Sequence, residues 1–327
     1  MNQQLFEEIK DLFYEFGKIE PPNMECISTD NLRDEIKKLF VVALQNFDNE
    51  TFAEKAYCVK QLIRPNSLFQ YRKFDIDGYS LKALENNYVW LSAPSNFNDP
   101  YDCSACFDFD KMTAAYFLNN NKKNSKNPKV QKLIEDLKNG KSFFDEDYQN
   151  PFSNQLNDSL KDESQKNFYE YTDKFRNKGK IGCFSETNKN ILMWSHYAEK
   201  HTGFCVEYNI KGIPLDSDFN MNIFPVIYSE KPLDLSKALI NKREDIFRQI
   251  LYLVKSIDWK YEKEWRYIGE TAANNEYIMP VKPKCVYLGT MITEENENSI
   301  KEITNKLGVD CKKMQIKPYS FELEEKD

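Results

Sequence analysis

Two carboxylates and a guanidinium, Glu262, Glu264 and Arg266, alternate along the run Glu262-Lys263-Glu264-Trp265-Arg266. In an extended strand successive side chains point to opposite faces, so these three share a face and can form a hydrogen-bonded ladder. The arginine can then hold one carboxylate while the other acts. The structural alternative is an exposed salt-bridge ladder at a sheet edge, where such pairs contribute little. A second dense run of uncommon side chains occupies residues 181–210, with both histidines of the chain, His196 and His201, beside Cys183, Ser185, Trp194 and Tyr197. Five residues of helix turn through about 140°, so the two histidines do not form a zinc-binding i, i+4 pair. His196 remains as an acid-base or hydrogen-bonding group in a cleft, or as a satisfied structural histidine. Cys183 and His196 could pair as nucleophile and base, but no oxyanion-loop signal accompanies them, and a buried strand cysteine is the alternative. Cys103 and Cys106 have metal-like spacing without a second pair, and no metal is expected.

Two further groups of polar residues come earlier. Tyr71-Arg72-Lys73 lies on a strand candidate, and arginine near a strand end clamps phosphate or carboxylate bidentately. Asn98, Asp99 and Asp102 follow a second strand candidate in a turn-rich loop that can orient a ribose or a cation, or form an ordinary Asx turn.

The elements that must position these groups are legible from periodicity. Residues 1–65 read as a helical extension, with Leu32, Ile36, Leu39, Phe40 and Ala43 on one apolar face. From Ser67 onward strands and helices mix, and residues 108–178 read as a helical insertion with a lysine-rich polar loop at 119–127. Phe204, Val206, Tyr208 and Ile210 alternate as in a half-buried strand, Tyr261 to Ile268 reads as another, and Ile300, Ile303 and Leu307 mark a helix stopped by Gly308. Gly203 is expected as the left-handed residue that ends the helix begun near Ile191. The fold class that follows is α+β: a central mixed or antiparallel sheet with flanking helices, organised as an extension (1–65) and a main domain (66–327).

Composition narrows the partners. The chain of 327 residues carries a net charge of −7, so no global field concentrates nucleic acid, although a local patch can still bind it. No run of 18 apolar residues and no apolar signal stretch occur, from which no membrane association and a cytoplasmic location are expected. The N-terminal helices offer a surface for a partner.

Taken jointly, Tyr71-Arg72-Lys73-Phe74, Leu91-Ser92-Ala93-Pro94, Phe97-Asn98-Asp99-Pro100-Tyr101-Asp102, Cys183-Phe184-Ser185, Met193-Trp194-Ser195-His196-Tyr197, His201-Thr202-Gly203 and Tyr261 to Arg266 resemble the bacterial family catalogued as domain of unknown function 2971, over roughly residues 67–320. The family label carries no reaction. Its layout, a first strand with a basic residue, a middle strand ending in Phe-Ser and a late strand with Glu, is similar to ADP-ribosyltransferase-like folds. That looser resemblance implies NAD as cofactor, Arg72 as its phosphate or ribose anchor, Ser185 on the nicotinamide side and Glu264 at the ribose 2-hydroxyl. Arg266 would hold Glu264, and His196 would join the catalytic set. Tyr71, Trp194, Tyr197 or Trp265 would stack on a ring, with Asn98, Asp99 and Glu262 completing the ligand contacts. No Gly-rich or Ser-Thr-Ser run follows Ser185, unlike better-known transferases.

The expected function is accordingly an NAD-using ADP-ribosyltransferase-like or NAD-hydrolysing protein in a toxin or phage-defence setting, acting on a nucleotide-like small molecule and a macromolecular target, protein or nucleic acid. One alternative is a non-catalytic protein that binds a nucleotide or a partner for regulation. Another is a metal-dependent nuclease or phosphodiesterase built on Asp99, Asp102 and Glu264.

Overall fold

The computed structural model describes residues 36–37, 60–61, 63–75, 77–109, 111–112, 115, 126, 128–138, 158–269 and 274–326. Within the expected N-terminal extension, 36–37, 60–61 and 63 are helical, and the rest of 1–62 lies outside the described residues, as does all but residue 126 of the expected lysine-rich loop.

Fourteen strands lie among the described residues. The first five are β1 (Ser67–Arg72), β2 (Tyr88–Trp90), β3 (Ala105–Cys106), β4 (Ile181–Ser185) and β5 (Phe204–Asn209). Next come β6 (Ile223–Pro225), β7 (Ile227–Ser229), β8 (Leu233–Asp234), β9 (Val254–Ser256) and β10 (Glu264–Ile268). The last are β11 (Glu276–Ile278), β12 (Cys285–Leu288), β13 (Asp310–Ile316) and β14 (Leu323–Glu325). With the helices between them they make an α+β fold.

The chain divides into two compact units, one of residues 1–98, 179–228 and 257–327, the other of 99–178 and 229–256. The second unit therefore starts earlier than the insertion expected at 108 and also takes in 229–256. In it β3 pairs with β8, and Phe247 of the helix Glu244–Leu253 gathers Phe168, Tyr171 and Phe175 of the helix Asp158–Lys178.

The first unit is built on an eight-stranded sheet in the order β14-β13-β12-β5-β1-β4-β10-β6. Its pairs are antiparallel except β12 with β13, so the sheet is mixed. That parallel pair needs a crossover, supplied by the helix Glu294–Leu307. Thr293 caps its start by accepting from the Asn296 N–H, acids fill its first turn, and Gly308 ends it at φ 65°.

Directly opposed residues of an antiparallel pair share a face. Cys285, Glu207, Phe69, Ser185 and Glu264 therefore form one transverse row across β12, β5, β1, β4 and β10. On this face Trp194, Ala198, Cys205, Cys285, Tyr287, Met314 and Leu323 form an apolar cluster against Phe69 and Tyr71. The other face carries Leu68, Gln70, Arg72, Phe184, Val206, Tyr208 and Trp265.

Two backbone expectations fail, for different reasons. The strand expected over 261–268 begins only at Glu264, because Lys263 turns left-handed at φ 46° and Ile257–Glu262 winds as a 3-10 helix. Gly203 is not the left-handed residue after the helix Ile191–Tyr197. That conformation is taken by Glu199, Lys200 and His201 in succession, at φ 47°, 57° and 68°. Gly203 is required instead by close approach, since a Cβ there would stand 2.2 Å from the Arg72 carbonyl oxygen. Gly289 serves the same turn, with a Cβ site 2.0 Å from the His201 carbonyl oxygen, which also accepts from the Met291 N–H at 3.0 Å. Gly203→Ala should lower the unfolding free energy by about 2 kcal/mol, as overpacking against backbone does. Lys200→Gly, placed where glycine relieves strain, should cost nothing. Urea midpoints of the two variants check this ordering.

Lys60 is fully buried and donates to the carbonyl oxygens of Asn220 at 2.6 Å and Met221 at 3.3 Å, with its ammonium 4.2 Å from the centre of the Phe224 ring. Burial, helped by the nearby Arg64 charge, brings its pKa down to about 7. Between pH 7 and its ordinary value the unfolded chain therefore holds more protons at this position than the folded one, and stability rises with pH. Lys60→Met removes that contribution. The stability of the parent relative to Lys60→Met should increase from pH 7 to pH 9 in urea unfolding, and a pH-independent difference would contradict the desolvation of Lys60.

Candidate functional site

β1, β4 and β10 lie side by side, and the row through them sets Phe69, Ser185 and Glu264 next to one another. Glu264 and Arg266 alternate along β10 on that face, both buried, and pair bidentately: Arg266 Nε donates to Glu264 Oε1 at 2.9 Å and an Nη to Oε2 at 3.0 Å. The guanidinium lies 5.2 Å from the centre of the Phe97 ring. The backbone N–H of Glu264 donates to the Tyr228 hydroxyl at 2.8 Å. The pair is thus fixed in position, and the exposed sheet-edge ladder does not describe it.

Glu262 is buried as well, but on the 3-10 helix before the strand rather than in the ladder. Its Oε1 accepts from the Tyr197 hydroxyl at 2.6 Å, and that hydroxyl also reaches Asn98 Oδ1 at 3.4 Å. Ser185 Oγ donates to the Glu262 carbonyl at 2.6 Å and accepts from the Thr187 N–H at 3.2 Å. A serine hydroxyl used on both sides is a clamp between the end of β4 and the turn into β10. The structure therefore brings together Ser185, Asn98, Tyr197, Glu262, Glu264 and Arg266.

The remaining candidates go elsewhere. Arg72 is a correction: it points to the opposite face, where its guanidinium bonds Gln70 Oε1, the Tyr88 carbonyl at 3.0 Å and the Tyr208 hydroxyl at 3.2 Å. A strand residue one place along from Tyr71 cannot share its face. Tyr71 and Trp194 meet edge to face at 5.3 Å inside the apolar cluster, with the indole N–H donating to the Asn188 carbonyl and the phenol to the Thr187 carbonyl. Burial raises the Tyr71 pKa well above the ordinary phenol value; the Trp194 ring is fully buried, while Tyr71 keeps part of its surface in water. His196 is exposed, its ring 6.2 Å from that of Trp259. Asp99 belongs to the second unit, where Oδ1 accepts from the Tyr101 N–H at 2.9 Å as an Asx turn.

His201 lies parallel to Trp194 at 6.2 Å, with Nε2 3.3 Å from Ser195 Oγ. Ser195 Oγ donates to the Ile191 carbonyl at 2.9 Å, so its proton is committed to the helix and the contact is a latch, not a nucleophile pair. Burial lowers the His201 pKa. Among the described residues no three or more His, Cys, Asp or Glu side chains are grouped to hold a metal ion. No described helix is long and apolar enough to cross a membrane. Phe97 and Tyr228 were missed from sequence; Phe97 stood within the quoted loop motif, whereas nothing local marked Tyr228.

With this geometry in place, residues 193–267 match the family described as "Protein of unknown function (DUF2971)". The similarity to that family is confined to this stretch. It is narrower than the span of the quoted motifs, taking in Trp194, His196, Tyr197, Glu262, Glu264 and Arg266 but not Arg72, Asn98, Asp99 or Ser185. The matched segment thus holds the buried ion pair and the tyrosine–glutamate bond, while β4 brings Ser185 and the loop after β2 brings Asn98. Comparison with curated proteins and with solved structures gives no match.

Removing one partner of a buried pair strands the other charge, so Arg266→Met should cost about 3–5 kcal/mol of stability. The double change Glu264→Leu with Arg266→Met should cost clearly less, because no charge is then left unpaired. Urea unfolding of both variants measures the difference, and equal losses would show that the pair is not held as a unit.

Proposed function

We propose that this face cleaves the nicotinamide–ribose bond of NAD and passes the ADP-ribose to water or to a macromolecular acceptor, protein or nucleic acid. The observation that carries the reading is the adjacency of Ser185 and Glu264 across β4 and β10, with Arg266 gripping both oxygens of the carboxylate. This is the arrangement that the looser resemblance implies for its middle and late strands. When the bond breaks, its electron pair leaves with nicotinamide and positive charge develops on the ribose. A fixed carboxylate stabilises that charge without having to reorganise. The acceptor then bonds to the ribose carbon and releases its proton to solvent. Glu262, on the turn into β10, is bonded by the Tyr197 hydroxyl, which also reaches Asn98.

The fit covers the ribose end of the dinucleotide. Arg72 faces away, so it is not carried over as the phosphate anchor, and Tyr71 and Trp194 are not carried over as stacking rings.

A second reading, a non-catalytic nucleotide- or partner-binding protein, is favoured by one observation: both Glu264 oxygens are bonded to Arg266, and Glu262 Oε1 to Tyr197. One experiment separates the two. Incubation with NAD should release nicotinamide, and Glu264→Gln, with its fold verified by circular dichroism, should slow the release about 100-fold or more, the scale of losing one electrostatic contact to a transition state. No nicotinamide and no transferred label over a broad set of targets would leave the binding reading standing. Equal rates in the parent and Glu264→Gln would remove Glu264 from the chemistry.

A further inference from the structure

The second unit holds a cavity of about 180 Å³ whose lining mixes apolar and charged groups. Tyr101, Pro232 and Val254 supply the apolar part. Tyr101 is 75% exposed, and its ring touches no other ring among the described residues, so the ring is open to a ligand. Asp99 fixes this edge of the cavity: its Oδ1 accepts from the Tyr101 N–H at 2.9 Å and its carbonyl oxygen from the Asp102 N–H at 3.1 Å.

Charges of both signs line the same space. Lys255, on β9, is buried and stands 3.5 Å from the equally buried Asp102, so that charge is already balanced. Glu230 and Lys231 directly follow β7, and both are exposed, with no ion pair and no side-chain hydrogen bond among the described residues. Ser229 fixes their turn, its Oγ donating to the Lys231 carbonyl at 2.6 Å and accepting from the Lys231 N–H at 3.3 Å. The Ser104 hydroxyl also lines the cavity without a partner. One open carboxylate and one open ammonium, with balanced charge beside them, favour neither a simple anion nor a simple cation. They suit a ligand that is neutral overall and carries both signs.

We propose that this cavity binds a free α-amino acid with an apolar side chain. The ligand carboxylate pairs with Lys231 and bonds the Ser104 hydroxyl, its ammonium pairs with Glu230, and its side chain lies against Tyr101, Pro232 and Val254. Sites for drug-sized ligands run from about 300 Å³ upward, so a cavity below that size selects a small molecule. The inference goes beyond the bond-cleavage reading, concerns the other unit and does not rest on it.

The test is isothermal titration calorimetry of the full chain with L-phenylalanine, without NAD, so its outcome does not depend on nicotinamide release. Saturable binding is expected. Phenethylamine lacks the carboxylate and 3-phenylpropionate the ammonium, and each should bind about tenfold more weakly, the scale of losing one hydrogen bond to a charged group. Lys231→Gln should weaken phenylalanine about tenfold and leave phenethylamine unchanged. Glu230→Gln should weaken phenylalanine to a similar extent and leave 3-phenylpropionate unchanged. Circular dichroism verifies both folds. Absence of saturable binding, equal affinity for phenylalanine and either analogue, or an unchanged affinity for phenylalanine in either variant would each overturn the proposal.

Discussion

A buried carboxylate gripped at both oxygens by a buried guanidinium is the constraint around which the first unit is arranged. Taking two charges out of water costs several kcal/mol for each ion, and their attraction repays this only when the geometry is good and the remaining donors find partners. Glu264 and Arg266 meet that condition by being two residues apart on a strand flanked on both sides, by β4 and β6. Phe97 lies against the guanidinium and Tyr228 takes the backbone N–H of Glu264. Ser185 then ties the preceding turn to the neighbouring strand, which fixes where Glu262 and Tyr197 meet. Each contact protects the pair from water, and the pair in turn penalises any shift of β10 against β4.

How much of this could be read from the chain follows from how local each signal is. The helix Glu294–Leu307 was legible because its apolar spacing and Gly308 lie within one stretch. β5 was legible because strict alternation leaves few other foldings for Phe204 to Ile210. The pairing of Glu264 with Arg266 followed from period two alone. By contrast, which face of β1 meets Glu264 depends on register with β4 and β5, set by contacts more than a hundred residues apart in the chain. Tyr71 and Arg72 could therefore both be named as site residues although a strand never turns neighbours the same way.

The turn at 199–201 was hidden for another reason. Left-handed backbone is read from glycine, and here it is taken by Glu, Lys and His, while the nearby Gly203 answers to the Arg72 carbonyl. Lys263 repeats the lesson: a lysine of positive φ ended the strand early and moved Glu262 off the ladder without any compositional mark.

The two faces of the sheet also separate two ways of failing. Arg72 is woven into Gln70, Tyr88 and Tyr208 on one side, while Glu264 and Arg266 look to the other. Loosening the Arg72 network lowers the folded fraction, and a loss of one or two kcal/mol is enough to change the abundance of a protein in a cell several-fold. A genetic screen scored only by lost phenotype would therefore return position 72 alongside position 264. Normalising each variant to its steady-state amount would subtract the molecules lost at both positions, since removing Glu264 strands the buried Arg266 charge just as loosening the Arg72 network weakens the sheet, and would leave whatever deficit per molecule remains.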